Sequence, residues 1–218
     1  MPYILDERLR FPDPRTANDD GLVAIGGDLS VPRLQLAYRC GIFPWTVNPI
    51  SWWSPDPRGI IDLERFHVPR RLARFMRTQP FEITRDRAFC QVMLACALPS
   101  PGRMETWIEP EFIDAYTRLF EQGHAHSVEC WREGVLEGGI YGVSVGGLFA
   151  GESMFHRASN GSKVALCHLV EHLKARGFVL FDTQVLSPAT LQLGGVEISR
   201  KEYLDRLNVA VQLDRTFC

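Results

Sequence analysis

The 218-residue sequence has no apolar stretch near 18 residues, so nothing in it is long enough to cross a bilayer as a helix. Its start, Met1-Pro-Tyr-Ile-Leu-Asp-Glu-Arg-Leu-Arg10, lacks the apolar core of a secretory signal. Both absences predict a cytoplasmic protein with no membrane partner. The six cysteines (Cys40, Cys90, Cys96, Cys130, Cys167, Cys218) form no Cys-x-x-Cys pair, which reads as free thiols, several of them buried. His124-Ala-His126 has no second ligand pair at useful spacing, so these read as surface histidines and no metal is expected. There is no Walker motif and no Rossmann fingerprint. A net charge of −2 argues against blanket electrostatic binding of nucleic acid.

Three of the five tryptophans fall between Trp45 and Trp53, in the run Gly41-Ile-Phe-Pro-Trp-Thr-Val-Asn-Pro-Ile-Ser-Trp-Trp-Ser-Pro-Asp-Pro-Arg58. Its four prolines remove backbone donors and disfavour helix before each one, predicting a stiff, irregular ledge that is neither a long helix nor a central strand. Flat apolar rings on such a ledge either plug a junction between domains or offer a platform for a planar ligand such as a nucleobase. Charge is also unevenly spread. Seven arginines against two acids give +5 between Arg65 and Arg87, and Arg70, Arg74 and Arg77 recur on one helical face behind Pro69. That stripe is either a solvated face or a phosphate-binding one.

Residues 1–59 are rich in turn formers and read as a small loop-rich domain, with one helix over 31–40 between Ser30 and Gly41. Residues 60–218 read as a second domain. Helices are predicted at 69–78, 86–97 and 109–122, and hairpin strands at 127–131, 135–145 and 148–155. A helix capped by Ser162 follows over 162–176, then a strand buried on both faces at 178–185. Three antiparallel strands, a crossover helix and a further strand give an α/β (α+β) class with an acetyltransferase-like (GNAT-like) C-terminal domain.

Such folds hold an acyl-CoA pyrophosphate on a glycine-rich loop opening the crossover helix. Here that place reads Arg157-Ala-Ser-Asn-Gly-Ser-Lys163, with a glycine missing and the spacing wrong, so no CoA and no other cofactor is expected. If the chain is an enzyme, its acyl donor must arrive already activated, without CoA or ATP chemistry. Polar residues stand in apolar surroundings at Glu152 and at Asp182 and Gln184, the last two on one strand face by period 2. They form either a structural network or a reacting centre in which Asp182 orients the Gln184 amide toward an attacking amine.

Together these blocks resemble the leucyl/phenylalanyl-tRNA–protein transferases, from about Phe11 to Leu207. The resemblance is carried by Gly21–Ser30, Gly41–Trp45, Trp52–Arg58, Thr106-Trp-Ile108, Gly123–Ser127, Gly142 with Phe149–Phe155, Ser162-Lys163, Asp182-x-Gln184 and Glu197-Ile198. It implies transfer of Leu, Phe or sometimes Met from aminoacyl-tRNA to proteins beginning with Arg or Lys, marking them for N-end-rule degradation. It implies that Trp45, Trp107 and Tyr116 meet the terminal adenosine, and that Ile140, Phe149, Leu169, Leu173 and Phe181 line the donor side-chain pocket. Glu152, Asp182 and Gln184 would be the polar centre, with Arg70, Arg74 and Arg77 on acceptor-stem phosphates. The family carries a His and an Ala-Ser-Leu-Gly-Ala stretch after Ser187-Pro188, where this chain has Ala189-Thr-Leu-Gln-Leu-Gly-Gly195. An acyl-CoA-dependent N-acyltransferase and a non-catalytic RNA-binding module are the competing readings.

Overall fold

A computed structural model describes residues 2–78, 80–99 and 106–218. Residues 3–53 supply a first sheet: β1 (Tyr3–Leu5), β2 (Leu22–Gly26), β3 (Phe43–Val47) and β4 (Ile50–Trp53), in the order β1-β2-β4-β3. Helix α1 (Val31–Arg39) lies between β2 and β3, with Ser30 at its N-cap and Gly41 at φ +76° beyond its end. The tryptophan run is thus a β-hairpin, not an irregular ledge, and β4 is an inner strand. Pro44 is tolerated because β3 is the edge of the sheet, where no neighbour asks for its missing N–H. Trp52 is fully buried within this layer, donating to the Gly26 carbonyl at 2.8 Å and meeting Phe11 edge-on. It ties the sheet together and also belongs to the core cluster that the sheet shares with the rest of the chain.

The remaining elements are β5 (Arg58–Ile61), α2 (Arg70–Met76), β6 (Glu82–Arg85), α3 (Phe89–Ala97), α4 (Pro110–Glu121), β7 (Ala125–Arg132), β8 (Val135–Val145), β9 (Leu148–His156), α5 (Gly161–Ala175), β10 (Leu180–Gln184), α6 (Pro188–Gln192), β11 (Gly195–Ile198) and α7 (Arg200–Ala210). The strands form a second, seven-stranded sheet in the order β11-β5-β10-β9-β8-β7-β6, antiparallel except for the β9–β10 pair. The molecule is a mixed α/β protein. The long hairpins fall where alternation and turn residues placed them, with Glu133 and Gly134 at positive φ between β7 and β8. The short strands β5, β6 and β11 and the helices α6 and α7 are additions. Helix α3 begins at Phe89 because Asp86 turns the chain at φ +56°. His126 is buried, not a surface residue.

One core runs through both sheets. Leu34, Ala37 and Tyr38 of α1 and Trp52 of β4 pack in one cluster with Phe112, Tyr116 and Tyr141. A second apolar cluster on the other face of the large sheet holds α5, whose Val164, Leu166, Leu169, Val170 and Leu173 are all buried. Asn160, in the left-handed region, is the N-cap of α5, and Ser162 sits inside its first turn. The start of α5 is pressed onto β8, since a Cβ on Gly138 would lie 2.6 Å from the Gly161 carbonyl carbon. Gly138→Ala should therefore push α5 off the sheet, at a cost of about 1–3 kcal/mol of the kind overpacked sites show. A wild-type midpoint in urea unfolding of this variant would contradict the close approach.

Candidate active site

The site forms where β9 and β10 part. Their parallel ladder runs from Leu180–Leu148 to Asp182–Ala150 and stops there, although β9 continues to His156. Each strand then carries a bulge. In β9, Ser153 faces Tyr141 and Gly151 faces Gly142, leaving Glu152 as the extra residue. In β10, Asp182 faces Ile60 and Gln184 faces Gly59, leaving Thr183 as the extra one, with Gln184 at φ +62°. Gly59 permits this turn, because a Cβ there would sit 2.9 Å from the Leu186 nitrogen. Bulges re-aim side chains, and this pair turns Glu152 and Gln184 toward each other. The Gln184 Nε2 donates to Glu152 Oε1 at 2.7 Å.

Asp182 does not bond the Gln184 side chain. Its Oδ1 accepts the Gln184 backbone N–H at 2.8 Å and the Arg58 Nε at 2.9 Å. Its Oδ2 accepts another Arg58 nitrogen at 2.6 Å and the Tyr203 hydroxyl at 2.7 Å. Arg58 and Asp182 are 1% and 0% exposed. Burial works against the Arg58 charge, but Asp182, together with Tyr203 and Glu152, outweighs it and holds the guanidinium pKa above its ordinary value. Asp182 thus fixes the left-handed backbone of Gln184, and so steers the amide indirectly.

Glu152 has only neutral donors. The Tyr38 hydroxyl donates to Oε1 at 2.7 Å and the Tyr116 hydroxyl to Oε2 at 3.2 Å, while the two phenols lie 2.5 Å apart. Burial drives the Glu152 carboxyl up to about 7, against the lowering effect of its Tyr38 bond and helped by the Asp182 charge. Burial likewise raises both phenols, with the Glu152 charge adding to it. Tyr116 is fully enclosed and acts on Glu152; it presents no face to a ligand.

Two cavities meet here. A slot of about 180 Å³ is lined by Phe43, Pro44, Trp45, Trp107, Glu152 and Gln184, among others. Trp45 is 38% exposed and backed edge-on by Trp53. Trp107 rests edge-on against Phe112. A larger pocket of about 450 Å³ includes Ile140, Met154, Ser162, Leu166, Phe181 and Thr190 in its wall. Glu152, Thr183 and Val185 line both cavities. Of the five residues expected in the apolar pocket, Ile140 and Phe181 line it. Phe149, Leu169 and Leu173 do not: they are core residues, Phe149 packing edge-on behind Phe181 at 5.7 Å. Arg70, Arg74 and Arg77 stand together with Arg71 along a separate exposed groove on α2.

The sequence reading missed Arg58, Tyr38 and Tyr203 as site residues. Tyr38 follows Leu34 by four positions, which marks a buried helix face, but nothing local reveals a partner 114 residues away.

A carboxyl with a raised folded pKa binds its proton more tightly folded than unfolded, so its contribution to stability falls as pH rises from about 4.5 to about 7. Removing it should relieve this loss. Glu152→Gln should melt close to wild type near pH 4 and higher than wild type at pH 8. The gain should be on the order of 1–3 kcal/mol after screening by solvent in the open slot. Thermal midpoints of the two proteins across that range test it, and a variant less stable than wild type at pH 8 would sink it.

A family model described as leucyl/phenylalanyl-tRNA protein transferase matches residues 60–208, and one for the N-terminal domain of the same family matches residues 27–56. The leucyl/phenylalanyl-tRNA–protein transferase of Oleidesulfovibrio alaskensis is 49% identical over 97% of this chain and 88% of its own length. Those of Alkalilimnicola ehrlichii and Hahella chejuensis are 50% and 48% identical, over 97% and 98% of this chain and 85% and 93% of their own lengths. Among solved structures, L-PGS from Bacillus licheniformis is 15% identical with a TM-score of 0.41, covering 76% of this chain and 54% of that one. With both family models matched and about half of all positions shared with these relatives, the chain belongs to the leucyl/phenylalanyl-tRNA–protein transferases, a family of enzymes.

Proposed function

We propose that this protein moves leucine or phenylalanine, and also methionine, from aminoacyl-tRNA to the α-amino group of proteins beginning with Arg or Lys, which marks them for N-end-rule degradation. The observation that carries this reading is the shared wall of the two cavities, Glu152, Thr183 and Val185. An aminoacyl-adenosine has a flat base at one end, an apolar side chain at the other and a reactive ester between. With adenine between Trp45 and Trp107 and the side chain against Ile140, Leu166 and Phe181, the ester carbonyl falls beside Glu152 and Gln184. An apolar pocket separates such side chains by only about 1–3 kcal/mol per methylene, which suits a short menu of donors.

The chemistry asks for placement. The ester is already activated, so the amine nitrogen forms its bond to the carbonyl carbon as the bond to the ribose oxygen breaks, with no cofactor required. Holding the two reactants within about 3–3.5 Å is a large part of the rate. Since the Gln184 Nε2 is committed to Glu152, its amide oxygen is the acceptor left for an N–H of the incoming amine. Glu152, with its carboxyl near 7, neutralises the cationic amino terminus and takes up its proton. Asp182 holds geometry, with both its oxygens occupied by donors. In this reading the C-terminal part of the chain is a GNAT-like acyltransferase module, and the exposed Arg70, Arg74 and Arg77 meet acceptor-stem phosphates.

Labelled leucyl-tRNA and an Arg-initiated peptide, mixed with the protein without ATP, should give labelled peptide. Trp45→Ala should lower transfer roughly 10- to 100-fold through loss of stacking worth about 1–3 kcal/mol. Replacing Arg70, Arg74 and Arg77 together should flatten the fall of transfer with salt, by a slope of about 0.9 per lost phosphate contact. Absence of label in the peptide, or a salt dependence untouched by the triple substitution, would refute the corresponding part.

A further inference from the structure

On the opposite side of the large sheet from the tryptophan slot, three side chains from distant parts of the chain converge. Asp86 lies in the turn between β6 and α3, His126 is the second residue of β7, and Cys218 closes the segment that follows α7. The His126 Nδ1 and the Cys218 Sγ both approach Asp86 Oδ2, at 2.8 and 3.3 Å. All three donor atoms lie within 4.8 Å of one another. We propose that Asp86, His126 and Cys218 form a binding site for a thiophilic divalent cation, with Zn²⁺ the best fit.

The donor set suits that ion. An imidazole, a carboxylate and a thiolate are ordinary zinc ligands, and two anionic donors with one neutral donor balance a double positive charge. Tetrahedral bonds of about 2.0–2.3 Å set neighbouring donors roughly 3.3–3.7 Å apart. The two shorter separations, 2.8 and 3.3 Å, lie below and at the edge of that range and the third is within 4.8 Å, so side-chain adjustments of an ångström or so seat the ion. Supporting contacts also hold the donors in place, as metal sites require. The Asp86 Oδ1 accepts the Ser127 backbone N–H at 2.8 Å. The His126 ring is stacked on Phe217 at 4.2 Å and an interplanar angle of 12°. Arg176 donates to the Thr216 and Cys218 carbonyls, and His172 Nε2 bonds the Phe217 carbonyl at 2.6 Å. A cavity of about 370 Å³, lined by His124, His126, Ser144 and Cys218 among others, gives the ion an entry path and room for a water as fourth ligand.

Binding there would clip the 214–218 segment to β7. Phe217 is buried, stacks on Phe149 at 5.6 Å, and Phe149 backs Phe181 in the wall of the apolar pocket. The clip would thus stiffen the floor of that pocket. The site itself does not depend on what the pocket holds.

The full-length protein, stripped with a chelator, is titrated with Zn²⁺ alone and with Co²⁺ alone. One equivalent of Zn²⁺ should bind and raise the thermal midpoint, since an ion that binds only the folded chain stabilises it. The Co²⁺ complex should show a thiolate-to-metal charge-transfer band. Cys218→Ser should abolish the band and weaken Zn²⁺ binding at least tenfold, and Asp86→Asn should weaken it similarly. Cys218 is exposed, so its serine variant folds and keeps the test decisive even if Asp86→Asn does not. No saturable Zn²⁺ binding overturns the proposal. So does Zn²⁺ affinity unchanged in Cys218→Ser, or a Co²⁺ band that survives there and vanishes in Cys90→Ser.

Discussion

The buried pair of Arg58 and Asp182 is the constraint on which the rest of the centre depends. Two charges withdrawn from water gain little net energy from each other, but removing one partner strands the other at a cost of about 3–5 kcal/mol. The pair persists because each guanidinium nitrogen and each carboxylate oxygen in it has a partner. Arg58 also donates to the Gly41 carbonyl at 3.2 Å, and its guanidinium lies over the rings of Phe43 and Tyr203 at 4.9 and 4.3 Å. Gly41 and Phe43 begin the hairpin that carries Trp45, Tyr203 belongs to α7, and Asp182 belongs to β10. A single guanidinium therefore sets the tryptophan hairpin, the last helix and the reacting strand in register.

From that pair follows the division of labour between two carboxylates. Asp182 faces a cation and two further donors, whereas Glu152 faces two phenols and an amide. For Glu152, burial without a cationic partner drives the carboxyl up, to about 7. Gln184 stands between them. Its backbone is tied to Asp182 and its side chain to Glu152, so a shift in the ion pair reaches Glu152 through one residue.

Much of this architecture was legible in the sequence where periodicity is long. Strands β7 to β9 and helices α4 and α5 fall within a few residues of their expected bounds. The failures have physical causes. The tryptophan run departs from the expected irregular ledge because proline breaks a strand only where a neighbour needs its N–H, and an edge strand escapes that penalty. Strands of four residues such as β5 and β11 carry too few alternations to stand out. Arg58 sits among turn formers and has the look of a solvated residue. Only the tertiary fold brings it to Asp182, 124 positions away. At that separation the sequence offers Asp182 no visible partner but its near neighbour Gln184, whose backbone, not its amide, it bonds.

The pocket residues illustrate a different limit. Helix α5 is buried around most of its circumference, so its pattern does not say which leucine meets a cavity and which meets the core. Topology decides it. A helix that follows β9 begins at the C-terminal end of that strand, and the contact of Gly138 with Gly161 pins its first turns there. The ladder between β9 and β10 opens at the same end. Leu166, in the second turn, lines the opening, while Leu169 and Leu173 are buried in the core cluster. The far lip of the pocket is built by Ser187 to Thr190, where the capping box of α6 sets the backbone. Ala189 and Thr190 stand on that lip. Just beyond them, Lys163 of α5 donates to the Gln192 side chain at 2.7 Å. This stretch therefore shapes the rim of the apolar pocket and stands apart from the Arg58–Asp182–Gln184–Glu152 chain.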